Sequence, residues 1–199
     1  MGIDIYGRVE VKLPFYEEGP FYEEGGWRPV LDLFWLYNVR DYASFGCFFG
    51  VRNYAKFRPI APGRGLPADV SPKVKQDAER FGPQAFGHTW ITWDELKQVD
   101  WEEESVHVDE RVHEYRRTKQ GELVLTSKAS WSRAFAERVG YNQCIDDQEQ
   151  EWDLGEVVYR RERMKRKQMK ANWEGLFHFL ETLAARFGDE HVRLVVWFS

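Results

Sequence analysis

Apolar and polar residues alternate strictly near the start of the chain. Ile3, Ile5, Val9, Val11 and Leu13 share one face, and Asp4, Tyr6, Arg8, Glu10 and Lys12 share the other. A period of two predicts a half-buried β-strand over 3–13. Trp27 to Tyr37 reads as the returning strand of an antiparallel hairpin. Between them lies a direct repeat, Phe15-Tyr16-Glu17-Glu18-Gly19 and Phe21-Tyr22-Glu23-Glu24-Gly25, split by Pro20. Its period is too short and its copies too few for a solenoid, so it reads as a local duplication in a tolerant loop.

Cap and stop residues mark the helices. Asp41 is an N-cap for a short helix through Ser44, Phe45, Phe48 and Phe49. Ser71 with Pro72 at the first helical position starts a polar helix over 72–80, ended by Gly82-Pro83. His88–Ile91 suggests a brief strand. Thr92-Trp93-Asp94-Glu95 is a capping box that opens a helix to about Val99. Near the end, Trp173, Leu176, Phe177, Leu180, Leu183, Ala184 and Phe187 recur at helical spacing and Gly188 supplies a stop. His191–Phe198 then reads as a strand apolar on both faces, hence central.

The middle is less regular. Val106, Val108 and Val112 suggest a strand, and Ser130–Val139 a short amphipathic helix around Trp131 and Phe135. The stretch at about 101–155 reads as an insertion or lid. If the segment from Val157 is extended, it makes a strand–helix–strand unit with the C-terminal elements, whose crossover should be right-handed. The expected architecture is therefore one α+β domain over 1–199: a single mixed β-sheet with helices packed on it and an irregular middle insertion.

Composition narrows the class. A chain of 199 residues, 43% hydrophobic and 31% charged, can bury a core and fits neither a disordered nor a membrane class. Its apolar runs are too short for a spanning helix, so no membrane partner is expected. The N-terminus lacks the basic and apolar regions of a secretory signal, and Tyr6 stands where a myristoylation motif needs Ser or Thr. Cys47 and Cys144 give neither a disulfide framework nor a zinc pattern. The cytoplasm is the simplest compartment. A net charge of −5 argues against general nucleic-acid binding. Aromatics at 16% point to a ring-built core or to a surface with stacking faces.

Several stretches resemble a known group. Met1-Gly2-Ile3-Asp4-Ile5-Tyr6-Gly7, Phe45 through Gly50-Val51-Arg52-Asn53, Pro59-Ile60-Ala61, Arg64-Gly65-Leu66-Pro67-Ala68-Asp69-Val70-Ser71, Gly87-His88-Thr89-Trp90-Ile91-Thr92 and Val192-Arg193-Leu194-Val195-Val196-Trp197-Phe198 resemble a family of small uncharacterised proteins of bacteriophage and bacterial genomes. The resemblance spans the first hundred residues and the last thirty. It implies a phage-associated, intracellular protein, in the host cytoplasm if phage-encoded. No activity is assigned to the family, so no catalytic residue is carried over.

The chemistry-bearing residues concentrate around Arg58-Pro59-Ile60-Ala61-Pro62-Gly63-Arg64-Gly65-Leu66-Pro67. Prolines and glycines fix an irregular loop that displays two guanidiniums. Arg58 and Arg64, with Arg52 and Asn53 upstream, offer forked donors to a phosphate or carboxylate, and Tyr54, Phe57, Trp90 and Trp93 offer rings to a base. These are the parts of a nucleotide pocket. The plainer alternative is that Arg64 pairs with Asp69 or another carboxylate and braces the loop.

His88, at a strand start beside Gly87, suits a general acid–base role with Asp94 as orienter, though a structural histidine is the commoner outcome. His107 and His113 with Asp109 have the donors for a metal, yet a solvated face in a charged stretch is the plainer reading. Cys47, on an apolar background, reads as buried rather than nucleophilic. Asp4 would pair with Arg193 if the first strand is central. The acidic run Asp146, Asp147, Glu149, Glu151 and Asp153 precedes the basic run Arg160 to Lys170, and the two should fold back on each other. Otherwise the basic run is free for RNA, DNA or an acidic partner.

The leading expectation is a non-catalytic binder of an anionic nucleotide-like molecule, used in a phage setting to sequester a host immune signal, with no cofactor and no metal. Its ligand residues would be Arg52, Asn53, Arg58, Arg64, Trp90 and Trp93. The alternatives are a nucleotide or phosphodiester hydrolase using His88 and Asp94, and a protein-binding inhibitor of a host factor. Assembly with further copies of the chain stays open.

Overall fold

The computed structural model describes residues 2–13, 26–140 and 147–199. The Phe-Tyr-Glu-Glu-Gly duplication, Cys144 and Asp146 lie outside the described residues.

The α+β class holds, but the single mixed sheet is replaced by two four-stranded antiparallel sheets. The first sheet comprises β1 (Ile5–Lys12), β2 (Trp27–Asp32), β3 (Phe86–Thr92) and β8 (Val192–Phe198), in the order β2-β1-β8-β3. The second comprises β4 (Arg111–Arg117), β5 (Leu123–Ser130), β6 (Gln150–Asp153) and β7 (Val157–Arg161), in the order β5-β4-β7-β6. The middle of the chain therefore builds a sheet of its own. The segment from Val157 is extended, as expected, yet it belongs to the second sheet, so no crossover to β8 exists.

β8 pairs with β1 on one side and β3 on the other, and all seven of its residues are buried. Its alternate residues serve two cores. Val192, Leu194, Val196 and Phe198 join the main core with Ile5, Val9 and Val11 of β1. That core is covered by helix α1 (Tyr42–Phe49) and helix α6 (Glu174–Phe187), whose Leu176, Phe177, Leu180 and Ala184 form the buried face. Val195 and Trp197 point the other way, onto Val74 and Ala78 of helix α2 (Pro72–Glu79). The first sheet is thus sandwiched between helical layers.

Local signals explain most boundaries. Asp41 accepts the Ser44 N–H at 3.2 Å to start α1, and Gly50, at φ 76°, ends it in the left-handed region where a side chain would be strained. Within α1, a Cβ on Gly46 would lie 2.7 Å from the Asn53 Cα, so only glycine admits the following loop. Helix α3 (Trp93–Lys97) carries the expected capping box. Short helices α4 (Arg133–Val139) and α5 (Lys167–Lys170) complete the set.

Two further expectations need correction. The returning strand stops at Asp32, whose carboxylate accepts the Phe34 N–H at 3.0 Å and starts a 3-10 turn over Leu33–Trp35. The middle strand begins only at Arg111, leaving Val106 exposed.

The polar face of β1 is absorbed by an ion network. Arg193 donates to Glu10 at 2.8 Å and to Asp69 at 2.7 Å, and it lies 3.7 Å from the Trp27 ring centroid, while the Trp27 indole donates to Asp69. Asp4, expected to meet Arg193, instead binds Arg40 at the surface, because Glu10 lies opposite Arg193 in the β1–β8 register.

Candidate functional site

The proline-rich loop spends its rigidity on docking. Ile60 and Ala61 donate to the Cys47 and Phe48 carbonyls, Thr89 donates to the Ala61 carbonyl at 2.6 Å, and Gly65 donates to the His88 carbonyl. Arg64 forms an ion pair with Glu95 at 2.8 Å and lies 5.1 Å from the Trp90 ring centroid. The brace reading thus holds, with Glu95 in place of Asp69.

The other candidates scatter. Asn53 closes a loop, accepting the Phe57 N–H at 3.0 Å and donating to the Phe57 carbonyl at 2.7 Å. Arg52 adopts φ 51° and donates to the Tyr54 hydroxyl at 2.8 Å. Arg58 is exposed, and its carbonyl takes Arg166. Trp93 packs against the main core and lines a different hollow. The described cavities are lined by none of Arg52, Asn53, Arg58, Arg64 and Trp90.

His88 is half-buried, and burial lowers its pKa. The carboxylate of Asp94 takes the Gln98 amide at 2.9 Å rather than His88. Cys47 is fully buried, and burial pushes its thiol up to about 12, which suits packing and not nucleophilic attack.

The middle histidines part company. His107 meets Asp147 at the surface. His113 is 1% exposed, which overturns the solvated reading for it. Its Nε2 lies 3.0 Å from Asp109 and its Nδ1 3.0 Å from Glu162, while Arg111 also grips Asp109 and Tyr115 donates to Glu162. Among the described residues no group of His, Cys, Asp and Glu has the arrangement of a metal site.

The acidic and basic runs fold back as expected. β6 and β7 are antiparallel neighbours with Glu151 opposite Arg160, bonded at 2.6 Å. Arg166 and Lys167 are met by Glu103 and Glu102. Within the basic run, Arg160, Arg163, Arg166 and Lys167 each have a carboxylate within ion-pair distance.

Guanidiniums and rings do converge, in a place the sequence reading missed. Tyr6 and Arg8 on β1, Trp197 on β8, and Arg80 and Phe81 just past α2 line a hollow of about 340 Å³. Tyr6 and Trp197 are register partners across β1 and β8. The Tyr6 and Phe81 ring centroids are 4.4 Å apart, and those of Phe81 and Trp197 are 6.1 Å apart. Asp77 anchors the charged wall, accepting from Arg8 at 3.0 Å and from Lys73 at 2.6 Å, with Arg80 at 3.7 Å. Burial works to raise the Asp77 pKa, but the bonds and charges of Lys73 and Arg8 outweigh it, and the carboxyl is held below its ordinary value. Asp32, opposite Arg8 in register, adds a second carboxylate at 3.2 Å. Three cations against two carboxylates leave a net charge of +1 around this wall.

The signal was present but dispersed. Tyr6 and Arg8 stand two apart on the polar face of a strand, and Arg80-Phe81 precedes the Gly-Pro stop. Only the layering of α2 on the sheet joins them.

Fold and cavity together define a two-sheet α+β protein with a ring-lined, cation-edged hollow on one sheet face. No protein family, curated protein or solved structure matches the chain. No helix among the described residues is long and apolar enough to cross a membrane.

Proposed function

We propose that the chain is a non-catalytic binding protein for a small anion that carries a flat ring, of the nucleotide class, held in the hollow between β1, β8 and the end of α2. The observation that carries this reading is Arg80. Its side chain is 66% exposed at the edge of the aromatic wall, and its only close carboxylate among the described residues, at 3.7 Å, already has Arg8 and Lys73. A phosphate is a better partner for such a guanidinium than a shared, partly screened aspartate. The half-buried Tyr6 and Phe81 rings supply a stacking surface backed by the buried Trp197, and Asp32 supplies an acceptor for a hydroxyl or amino group. The volume suits one small ligand. Sequestration of a host signal, the use expected of such a binder in a phage setting, needs only affinity and so belongs to the same proposal.

Calorimetric titration with ribonucleoside 5′-monophosphates and with the matching nucleosides tests it. Saturable uptake of the monophosphate is expected, with the ligand recovered intact after denaturation. Arg80→Ala should weaken that binding about tenfold, as loss of one charge-assisted contact implies, and Arg64→Ala should leave it unchanged. Equal binding of nucleoside and monophosphate, indifference to Arg80→Ala, or recovery of a chemically altered product would overturn the reading.

A further inference from the structure

A second hollow, of about 540 Å³, opens on the opposite helical layer, between α3 and the start of α6. Its walls are three aromatic rings. Trp101 and Phe177 have centroids 5.6 Å apart at 50°, and Trp93 and Phe177 are 6.3 Å apart at 56°. Rings inclined in this way do not stack on one another. All three border the same hollow, with Phe177 nearly buried at its base and the Trp101 face open to a cation.

The charges at the rim have a direction. Glu174 and Glu181 line the hollow from α6, and Lys97 and Lys170 also reach it. Lys97 is committed, since its ammonium bonds Asp189, and Asp189, Asp94 and Glu181 all favour its charged form. Setting the Lys97–Asp189 pair aside leaves two carboxylates against Lys170, a net charge of −1. An anion would gain little here.

Lys170 shows what does fit. Its ammonium lies 5.5 Å from the Trp101 ring centroid, within range of a cation–π contact. The chain's own cation thus occupies part of the hollow. A primary ammonium is strongly hydrated and holds its water against a ring face. A methylated ammonium has fewer donors for water to hold and spreads its charge over apolar surface, so it loses less on entering such a cage.

We infer that the hollow walled by Trp93, Trp101 and Phe177 binds a quaternary or methylated ammonium group, in competition with Lys170. This site is separate from the anion hollow and does not rest on it. The group could be carried by a small molecule or by a methylated lysine of a protein, and the two sources share the same head.

The test follows the indole N–H resonances of Trp93 and Trp101 by NMR during titration with tetramethylammonium, choline, a trimethyl-lysine peptide and its unmethylated counterpart. Saturable shifts at both indoles are expected with the methylated probes and not with the unmethylated peptide. Choline tighter than the peptide assigns a small-molecule source; the reverse order assigns a protein source. Lys170→Met should raise tetramethylammonium affinity about threefold to tenfold by removing the resident cation. Because Trp101 packs on the core, the negative variant is Glu174→Gln with Glu181→Gln, two exposed changes that should weaken binding several-fold. Unshifted indoles, weaker binding in Lys170→Met, or equal binding of the unmethylated peptide would overturn the inference.

Discussion

His113 is the residue whose setting says most about how this chain is stabilised. Both ring nitrogens face carboxylates at 3.0 Å, a setting that favours the doubly protonated ring, in which both donate. Burial alone would pull its pKa down, but the bonds to Asp109 and Glu162 outweigh burial and raise it. Asp109 and Glu162 are correspondingly lowered, burial being overcome by His113 with Arg111 in one case and by His113 with Tyr115 in the other. The signs give a window. A raised histidine contributes stability that is complete below its unfolded pKa of about 6.5 and is lost as pH climbs through the folded value. The lowered carboxylates contribute above their unfolded values of about 4 and lose it as pH falls. Thermal unfolding followed from pH 4 to 9 should therefore show a maximum at about pH 5–6.5 and a decline on the alkaline side. His113→Gln should flatten that decline and cost on the order of 3 kcal/mol at the maximum, since it strands buried charge. An unchanged alkaline slope in the variant would rule this out.

At the scale of elements, α3 shows how a five-residue helix can be held. Thr92 accepts the Glu95 N–H at 3.2 Å and Glu95 accepts the Thr92 N–H at 3.0 Å. The same carboxylate also holds Arg64, so one side chain caps a helix and pins the proline-rich loop. Thr92→Ala should cost about 1 kcal/mol in urea unfolding. Arg64→Ala, which breaks a surface-facing pair, should cost about 0.5 kcal/mol. Glu95→Ala should exceed either, because it removes both roles at once. If Glu95→Ala equals Thr92→Ala, the link between loop and helix carries no stability.

Across the whole molecule the two sheets differ in burial. β8 lies inside its sheet and between two cores, whereas β5 is an edge strand with Val124 half-exposed and most of its neighbours facing solvent. Amides that open only with global unfolding belong to the first kind of strand. Hydrogen exchange should therefore protect the amides of β8 orders of magnitude more than those of β5, with β4 between them because it pairs on both sides. Equal protection across β5 and β8 would show that the sheets unfold as one unit.

Local chemistry was written plainly in the chain. The alternation of β1, the caps of α1, α2 and α3, the apolar stripe of α6 and the two-faced β8 could all be read from neighbours a few residues apart. Those signals are short-range because side-chain periodicity and capping involve only adjacent turns. The partition into two sheets was hidden, since strand pairing depends on contacts far apart in sequence that no local period encodes. The same reason governs the sites. A rigid loop with two arginines has the parts of an anion site, yet Glu95 on a distant helix claims Arg64, while Tyr6, Arg80 and Trp197 meet only once α2 is laid across the sheet. Sequence named the residue types that a binding hollow needs; packing chose which of them would line one.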